Sequence, residues 1–308
     1  MTESSQLIRP RPTVLEPVRS RPARGFWRQS WDELRSNRVA VAAGALLVFM
    51  VLVAVAAPLI SHFVTHYNSV EQDLNNPFAP PGHSHWLGTD ELGRDTLTRL
   101  LYGARVSLGI GFLTVSIALT IGATVGLLAG YHGGLLDDVL MRVVDIVLAI
   151  PPIFLYILMS ILFRPNVITL SLIIASVGWA SLSRLVRSEV LSLRTREFMV
   201  ATRSLGARDA RLILRHLLPN VLPLMIVAAS LGLGQVVLIE AALDFLGLGV
   251  QAPTATWGNM VSNAQVYFVH SNWLVILPGL CIFLTVLAAN LFGGGLRDAF
   301  DPRLKGTG

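Results

Sequence analysis

Cysteine is almost absent from this sequence of 308 residues, which contains only Cys281. A single cysteine excludes a disulfide framework within the chain and a metal site built from several cysteines. Charge is also scarce, because only 14% of the residues are charged whereas 53% are hydrophobic. Together with a mean hydropathy of +0.61, this scarcity excludes an ordinary soluble domain and predicts a polytopic membrane protein.

Motifs for nucleotide chemistry are missing as well. The sequence contains no GxxxxGK[ST] segment, so we expect that the chain does not hydrolyse ATP itself.

Four histidines, His62, His66, His83 and His85, fall in one loop, but no cysteine or acidic cluster accompanies them, and they make a weak metal site. The sequence therefore predicts no catalytic residue, no cofactor and no metal ion in this chain.

Long apolar segments predict an all-α fold with six transmembrane helices. They occupy residues 39–60, 106–130, 139–163, 167–182, 220–243 and 273–293. We expect a kink in the third segment, at Pro151-Pro152. Gly122, Gly126 and Gly130 recur every four residues in the second segment, which favours close packing against another helix, either in this chain or in a partner.

The distribution of basic residues predicts the orientation in the membrane. The formal net charge of +5 and the pI near 10.0 do not indicate a nucleic acid partner, because the basic residues lie at the ends and in the loops of apolar segments. With the N-terminus inside, only four of the 24 basic residues lie outside: Arg94, Arg99, Arg105 and Arg164. The positive-inside rule then places both termini in the cytosol. The transmembrane domain is 39–293, the cytosolic segments are 1–38, 131–138, 183–219 and 294–308, and the long outer loops are 61–105 and 244–272.

The two segments next to the first span have different characters. Residues 1–25 are rich in Pro and Arg, which predicts no stable fold. Phe26, Trp27 and Trp31 follow, and they predict a short amphipathic helix on the inner interface. In the outer loop, we expect Thr89 to cap a helix over residues 90–102.

The segment 183–219 carries eight arginines, although apolar segments flank it on both sides. Such a segment lies outside the hydrocarbon. Its pattern predicts a helix, a stop at Gly206 and a second helix, which together form an elbow. Periodicity alone also permits an amphipathic loop whose arginines bind anionic membrane lipid. The elbow residues that we single out are Glu197, Phe198, Ala201, Thr202, Leu205, Gly206, Arg208, Arg211, Arg215 and Pro219.

Two groups of charged residues fall within or at the edges of predicted spans. Asp138, Arg142 and Asp145 have helical spacings, so we expect Arg142 to neutralise the carboxylates, and a station on a transport path or a proton relay is the alternative. Glu240 and Asp244 share one helix face near the outer end of the fifth span. They lie either in a water-filled vestibule that would meet a cationic group or simply in solvent at the helix end.

Four segments are similar to the signature segments of the dipeptide/oligopeptide ABC-importer family, in its C-type permease subunit. They are WLGTDELGRDTLTRLLYGARVSLGIG at 86–111, GGLLDDVLMRVVDIVLAIPPIFL at 133–155, DFLGLGVQAPTATWGNM at 244–260 and GGGLRDAFDPRL at 293–304. The elbow resembles the cytoplasmic EAA loop of such permeases, with Ala201 and Thr202 followed by Gly206. The chain departs from the family's pattern at Val200, His216 and Gly294.

This resemblance implies a type I ABC-importer permease fold in the bacterial inner membrane. It also implies several partners: a homologous B-type permease subunit, two ATP-binding cassette subunits that bind ATP and Mg²⁺, and an extracytoplasmic substrate-binding protein. The elbow would dock on the ATPase subunits, and the cargo would be a di- or oligopeptide. The alternatives are an importer of the same family for nickel, haem or another solute, a proton-coupled secondary carrier, and a membrane protein of assembly or signalling.

Overall fold

The computed structural model describes residues 25–301, so the tail 1–24 and residues 302–308 lie outside the described residues. Within the described range the chain is all-α, with one isolated bridge between Thr89 and Asp95. The helices are α1 (Phe26–Ser36), α2 (Arg38–Ile60), α3 (Thr96–His132), α4 (Gly134–Ala149), α5 (Pro152–Phe163), α6 (Val167–Arg194), α7 (Glu197–Ser204), α8 (Asp209–Leu212), α9 (Leu218–Phe245), α10 (Trp257–Ala264) and α11 (Trp273–Phe300). Short π-helical turns extend α2 over Ser61–Thr65 and join α8 to α9 over Ile213–Leu217.

Within residues 25–301, five helical segments are long and apolar enough to cross a membrane. They are Arg38–Thr65, Thr96–His132, Val167–Arg194, Asp209–Phe245 and Trp273–Phe300. A sixth crossing requires α4 and α5 together, and these two helices are bent by 82° where they meet. The prediction of six spans agrees with this architecture if the bent pair is one span, but that span is broken rather than kinked.

The break between α4 and α5 follows from two consecutive prolines. Ile150 and Pro151 have extended backbones, with ψ angles of 129° and 127°. A proline ring disfavours the helical conformation in the residue before it, so α4 ends there. Pro152 then starts α5 at a position where no backbone N–H is needed. The segment therefore turns instead of continuing across the membrane in one direction.

Close packing of α3 against α6 builds the centre of the bundle. A Cβ atom added at Gly126 would lie 2.6 Å from the carbonyl oxygen of Ser183 and 2.7 Å from Cβ of Val186. One added at Gly130 would lie 2.8 Å from Cβ of Val190. The glycine step predicted in the second span therefore serves packing within this chain, because any larger side chain would force the two helices apart.

The helix predicted over residues 90–102, with Thr89 as its cap, begins only at Thr96 and forms the first part of α3. The side chain that caps α3 is Asp95, which accepts a hydrogen bond from the N–H of Thr98 at 2.7 Å. The Thr89 hydroxyl instead holds the loop, accepting from the N–H of Ala79 at 2.7 Å. Gly93 has a φ of 69°, and this left-handed turn prevents the helix from starting earlier.

Paired charges fix this outer loop on the end of α3. Arg94 binds Asp90 and Glu91, each at 2.7 Å, and Arg99 binds Asp90 at 3.2 Å. Both arginines are buried, with 5% and 3% of their surfaces exposed. Buried charges are tolerated when they are paired and hydrogen-bonded. His85, one of the four loop histidines, contacts Asp95 at 3.0 Å.

A hydrogen-bonded turn lies earlier in the same loop. The Asp73 carboxylate accepts from the side chain of Asn76 at 2.5 Å and from the backbone N–H of Asn75 at 3.1 Å. These bonds to the charged form lower the pKa of Asp73 below its ordinary value. The turn therefore rests on hydrogen bonds that favour the ionised form of the carboxylate.

Helix α1 is the short amphipathic helix that the aromatic residues predict. It buries Ser30 and Leu34 and exposes much of Trp27 and Trp31. The Phe26 ring stacks on Phe300 near the end of α11, with ring centroids 6.1 Å apart. The N-terminal helix therefore packs against the end of the last span.

Candidate functional site

The elbow begins later in the chain than predicted. Residues 183–194 continue α6 to Arg194, because their apolar residues remain buried against α3. The exposed part of the elbow is α7, the turn at Gly206 and α8. The segment predicted over 183–219 is therefore partly the end of a span.

The turn of the elbow is a complete Schellman motif. Gly206 has a φ of 81°, the left-handed conformation that glycine adopts without strain. Its N–H donates to the carbonyl of Arg203 at 2.9 Å, and the N–H of Ala207 donates to the carbonyl of Thr202 at 3.3 Å. These two bonds end α7 and set a fixed angle towards α8. The predicted helix, glycine and helix are confirmed.

One face of the elbow is anchored in the protein, and the other is free. Met199 and Leu212 are buried in the cluster that α3 and α6 form near their ends. Phe198, Val200 and Leu205 are exposed, and Leu205 exposes 88% of its surface. We call these three residues the elbow patch. The turn at Gly206 therefore holds an apolar side chain outward, away from the buried face of the elbow.

The remaining elbow residues lie on the outside of the elbow, and apart from Ala201 and Pro219 they are charged or polar. Ala201, Arg208, Arg211, Arg215 and Pro219 are exposed, and Thr202 is half-buried. Glu197 is exposed in the first turn of α7, where a negative charge is favourable for the helix dipole. The elbow therefore exposes three basic residues, Arg208, Arg211 and Arg215, after its turn.

The base of the elbow is joined to the end of α3 through Tyr131. The Tyr131 hydroxyl donates a hydrogen bond to the carboxylate of Asp209 at the start of α8. The Arg203 guanidinium lies 5.4 Å from the centroid of the Tyr131 ring, within the range of a cation–π contact. Arg194 donates to the Tyr131 carbonyl at 3.1 Å. Tyr131 cannot be singled out from the sequence, because a tyrosine at a helix end carries no periodic signal.

Arg142 does not neutralise Asp138 and Asp145, and that prediction is wrong. Asp145 pairs with Arg184 on α6. Asp137, which is buried, is bound by both Nε and Nη2 of Arg187, at 2.5 and 2.6 Å. Within residues 25–301, Arg142 is exposed and makes no ion pair. The partners come from the neighbouring helix, which helical spacing along one sequence does not reveal.

Glu240 and Asp244 are buried. They therefore lie neither in a water-filled vestibule nor in solvent at a helix end, the two locations that the sequence predicts. Glu240 is fully buried, and its Oε1 accepts from the Ser107 hydroxyl at 3.2 Å. Asp244 accepts from the N–H of Val250 at 2.9 Å and from the hydroxyl of Thr256. The loop after α9 folds back over both carboxyl groups. They fasten this loop and α10 to the bundle.

A cavity of about 390 Å³ lies between α3, the break of α4 and α5, α6 and α9. Small side chains make the space, among them Ala118, Gly178 and Gly232. Tyr156, Ser181 and Gln235 also line it, one from each of α5, α6 and α9. Its volume is within the range of small-molecule pockets.

Comparisons with known proteins agree with this architecture. Residues 122–306 match the family described as the binding-protein-dependent transport system inner membrane component. Residues 25–81 match the N-terminal TM domain of oligopeptide transport permease C. A chain of the MetNI methionine ABC transporter in an inward-facing conformation matches with a TM-score of 0.52 and 20% identity, over 65% of this chain and 97% of that chain. This likeness shows the fold of an ABC-importer permease.

Curated relatives are similar over nearly their whole length. The dipeptide transport system permease protein of Alkalihalophilus pseudofirmus is 41% identical over 97% of both chains. The oligopeptide transport system permease protein of Bacillus subtilis is 35% identical over 93% of this chain and 92% of its own. The glutathione transport system permease protein of Pectobacterium atrosepticum is 38% identical over 95% of this chain and 96% of its own. The chain therefore belongs to the family of inner membrane components of binding-protein-dependent transport systems and is a multi-pass ABC-transporter permease subunit.

Proposed function

We propose that this chain forms half of the translocation path of an ATP-driven importer for di- or oligopeptides. The names of three similar permeases support this cargo, since they refer to dipeptides, oligopeptides and glutathione, which is itself a short peptide. A homologous B-type permease would supply the other half of the path. An extracytoplasmic binding protein would deliver the peptide to the outer loops.

The elbow patch is the observation that best supports a role in coupling ATP hydrolysis to transport. Leu205 projects into solvent from a turn whose geometry Gly206 fixes. On the cytosolic side of the membrane, this patch would dock on one of two ATP-binding cassette subunits, and those subunits would bind ATP and Mg²⁺. Apolar anchors surrounded by polar residues are the usual centre of such interfaces.

The anchoring of the elbow suggests how ATPase motion would reach the path. The helical segment Asp209–Phe245 runs without interruption from the elbow through the membrane, and Asp209 is also bonded to Tyr131 on α3. A displacement of the elbow would therefore move α9 and the end of α3 together. Rigid-body rocking of such helices opens one end of a path and closes the other.

Uptake by the assembled complex tests this proposal. The chain is co-expressed with a B-type permease, the ATPase subunits and the binding protein, and the complex is reconstituted in proteoliposomes. We expect uptake of alanyl-alanine that requires ATP and the binding protein. Uptake driven by an imposed pH gradient without ATP would instead indicate a secondary carrier, and ATP-driven uptake of nickel or haem without the dipeptide would overturn the cargo.

A further inference from the structure

Three polar side chains in the wall of the transmembrane cavity lack hydrogen-bond partners. Among the described residues, none makes a hydrogen bond to the side chain of Tyr156, Ser181 or Gln235. Only 4% of the surface of Tyr156 is exposed, so its ring is fixed while its hydroxyl has no partner among residues 25–301. Ser181 and Gln235 are exposed at the cavity.

These groups lie deep in the membrane, so the absence of hydrogen-bond partners restricts what can fill the cavity. Gln235 lies ten residues before the end of α9 at Phe245, which is about 15 Å along the helix at 1.5 Å per residue. That distance is about half the hydrocarbon thickness of a bilayer. Because a polar group without a partner is costly in hydrocarbon, lipid chains are poor occupants of this cavity. Water or a polar solute satisfies all three groups.

The chemistry of the wall selects among polar solutes. No charged side chain of residues 25–301 lines the cavity. The unpartnered groups are two hydroxyls and one primary amide, all neutral, and each can both donate and accept a hydrogen bond. Their natural counterpart is a neutral group that also donates and accepts, such as a peptide amide. A site for a carboxylate or an ammonium group would instead present an opposite charge.

We infer that this cavity is a station on the path at which Tyr156, Ser181 and Gln235 hydrogen-bond to the backbone amides of the transported peptide. The inference rests on the proposed function, since it assumes a peptide cargo. The small side chains of Ala118 and Gly232 leave the volume for the peptide, and the apolar remainder of the wall does not discriminate among peptide side chains. The three polar groups would therefore bind what all peptides share, the backbone amide, whatever their side chains.

Thiol labelling tests whether the station is hydrated and occupied. Cys281 is the sole cysteine of the chain, so Cys281→Ala provides the background for Gln235→Cys. The control variants are Leu158→Cys on α5, which is exposed and apolar, and Ser84→Cys in the outer loop. The whole complex in lipid nanodiscs is treated with 2-sulfonatoethyl methanethiosulfonate, an anionic reagent that does not enter hydrocarbon.

We expect the reagent to modify the Gln235→Cys and Ser84→Cys chains and to leave Leu158→Cys unmodified. Alanyl-alanine, added with the binding protein and ATP, should slow modification of Gln235→Cys and leave that of Ser84→Cys unchanged. If Gln235→Cys is unreactive while Ser84→Cys reacts, lipid or a partner helix fills the cavity and the inference is wrong. Modification that alanyl-alanine does not slow shows a hydrated cavity without a peptide contact, which also overturns it.

Uptake by two variants of equal side-chain size provides the second readout. Gln235→Leu removes the amide, whereas Gln235→Asn keeps it. Loss of one hydrogen bond to the solute corresponds to a fall of about three- to tenfold in alanyl-alanine uptake. We expect this fall for Gln235→Leu and a smaller one for Gln235→Asn. Equal uptake by both variants would contradict the inference, whereas absence of dipeptide uptake in the unmodified complex would refute the proposed cargo instead.

Discussion

Tyr131 at the end of α3 donates a hydrogen bond to Asp209 at the start of α8. This bond joins the exposed elbow to a helix that crosses the membrane, although 78 residues separate the two side chains along the chain. The contact is independent of the covalent connection between α8 and α9. The elbow is therefore attached to two spans, and a force on it acts on both.

Removing this bond should weaken the transmission of ATPase motion. Tyr131→Phe keeps the buried ring and loses only the donor, and we expect a loss of about 1 kcal/mol in the attachment. Uptake of alanyl-alanine per ATP hydrolysed should fall in proteoliposomes. Thr120→Val is the control, since its hydroxyl bonds only to its own helix, at Ser116. An unchanged ratio in Tyr131→Phe would show that the bond takes no part in coupling.

The turn of the elbow should tolerate few residues other than glycine. A Cβ atom at Gly206 would contact nothing within 4 Å, so a substitution acts only through the backbone. Gly206→Val places a β-branched residue at a φ of 81°, at a cost of about 1–3 kcal/mol. We expect normal abundance in the membrane and loss of ATP-driven uptake, with a milder loss for Gly206→Asn because Asn tolerates this conformation better. Full uptake by Gly206→Val would show that the turn can change without consequence.

The ion pair between Asp137 on α4 and Arg187 on α6 should contribute more to stability than Arg142 does. Arg187→Ala leaves the buried carboxylate of Asp137 without its partner, which we expect to cost about 1–3 kcal/mol and to lower the yield of folded protein. The double change Arg187→Ala with Asp137→Ala should recover part of that yield. Arg142→Ala should have little effect. The stability of the three variants is measured by thermal unfolding of the purified chain, followed by fluorescence-detected size exclusion. A larger loss of stability for Arg142→Ala than for Arg187→Ala would contradict the observed pairing.

The loop after α9 should depend on Asp244. Asp244→Ala leaves the N–H of Val250 and the hydroxyl of Thr256 without their acceptor, and we expect destabilisation of about 1–3 kcal/mol. Thr256→Val should lose less stability, because the hydrogen bond from the N–H of Val250 to Asp244 remains. Since the two residues share one bond, the effect of the double change should be smaller than the sum of the single effects. Additive shifts in the melting temperature would indicate that the two side chains act separately.

Sequence patterns predicted the elements that depend on local chemistry. Apolar length located the spans, Gly206 marked the elbow turn, and the aromatic residues at Phe26 and Trp27 marked α1. Each of these signals arises from residues that are neighbours along the chain. The same reasoning identified the glycines of α3 as packing positions, but it could not name α6 as the partner.

The errors concern contacts between distant segments. Helical spacing suggested Arg142 as the partner of Asp145, whereas Arg184 on α6 is closer in space. The sequence left a water-filled vestibule and solvent at a helix end as the alternatives for Glu240 and Asp244, because it does not show that the loop after α9 folds over them. Thr89 precedes a plausible helix start, but Gly93 and the Asp95 cap shift the start of α3 to Thr96. Tertiary packing decides each of these cases.

Binding of the ATPase subunits to the elbow patch tests the central claim most directly. Leu205→Glu places a charge in the proposed contact, and Leu135→Glu is the matched control, since Leu135 is also an exposed leucine, with 79% of its surface exposed. Affinity is measured between the purified permease pair in nanodiscs and the labelled ATPase subunits. We expect Leu205→Glu to weaken binding at least about tenfold, which corresponds to about 1.4 kcal/mol, and Leu135→Glu to bind like the unmodified chain. Equal affinity for Leu205→Glu and the unmodified chain would show that the elbow patch is not the docking contact.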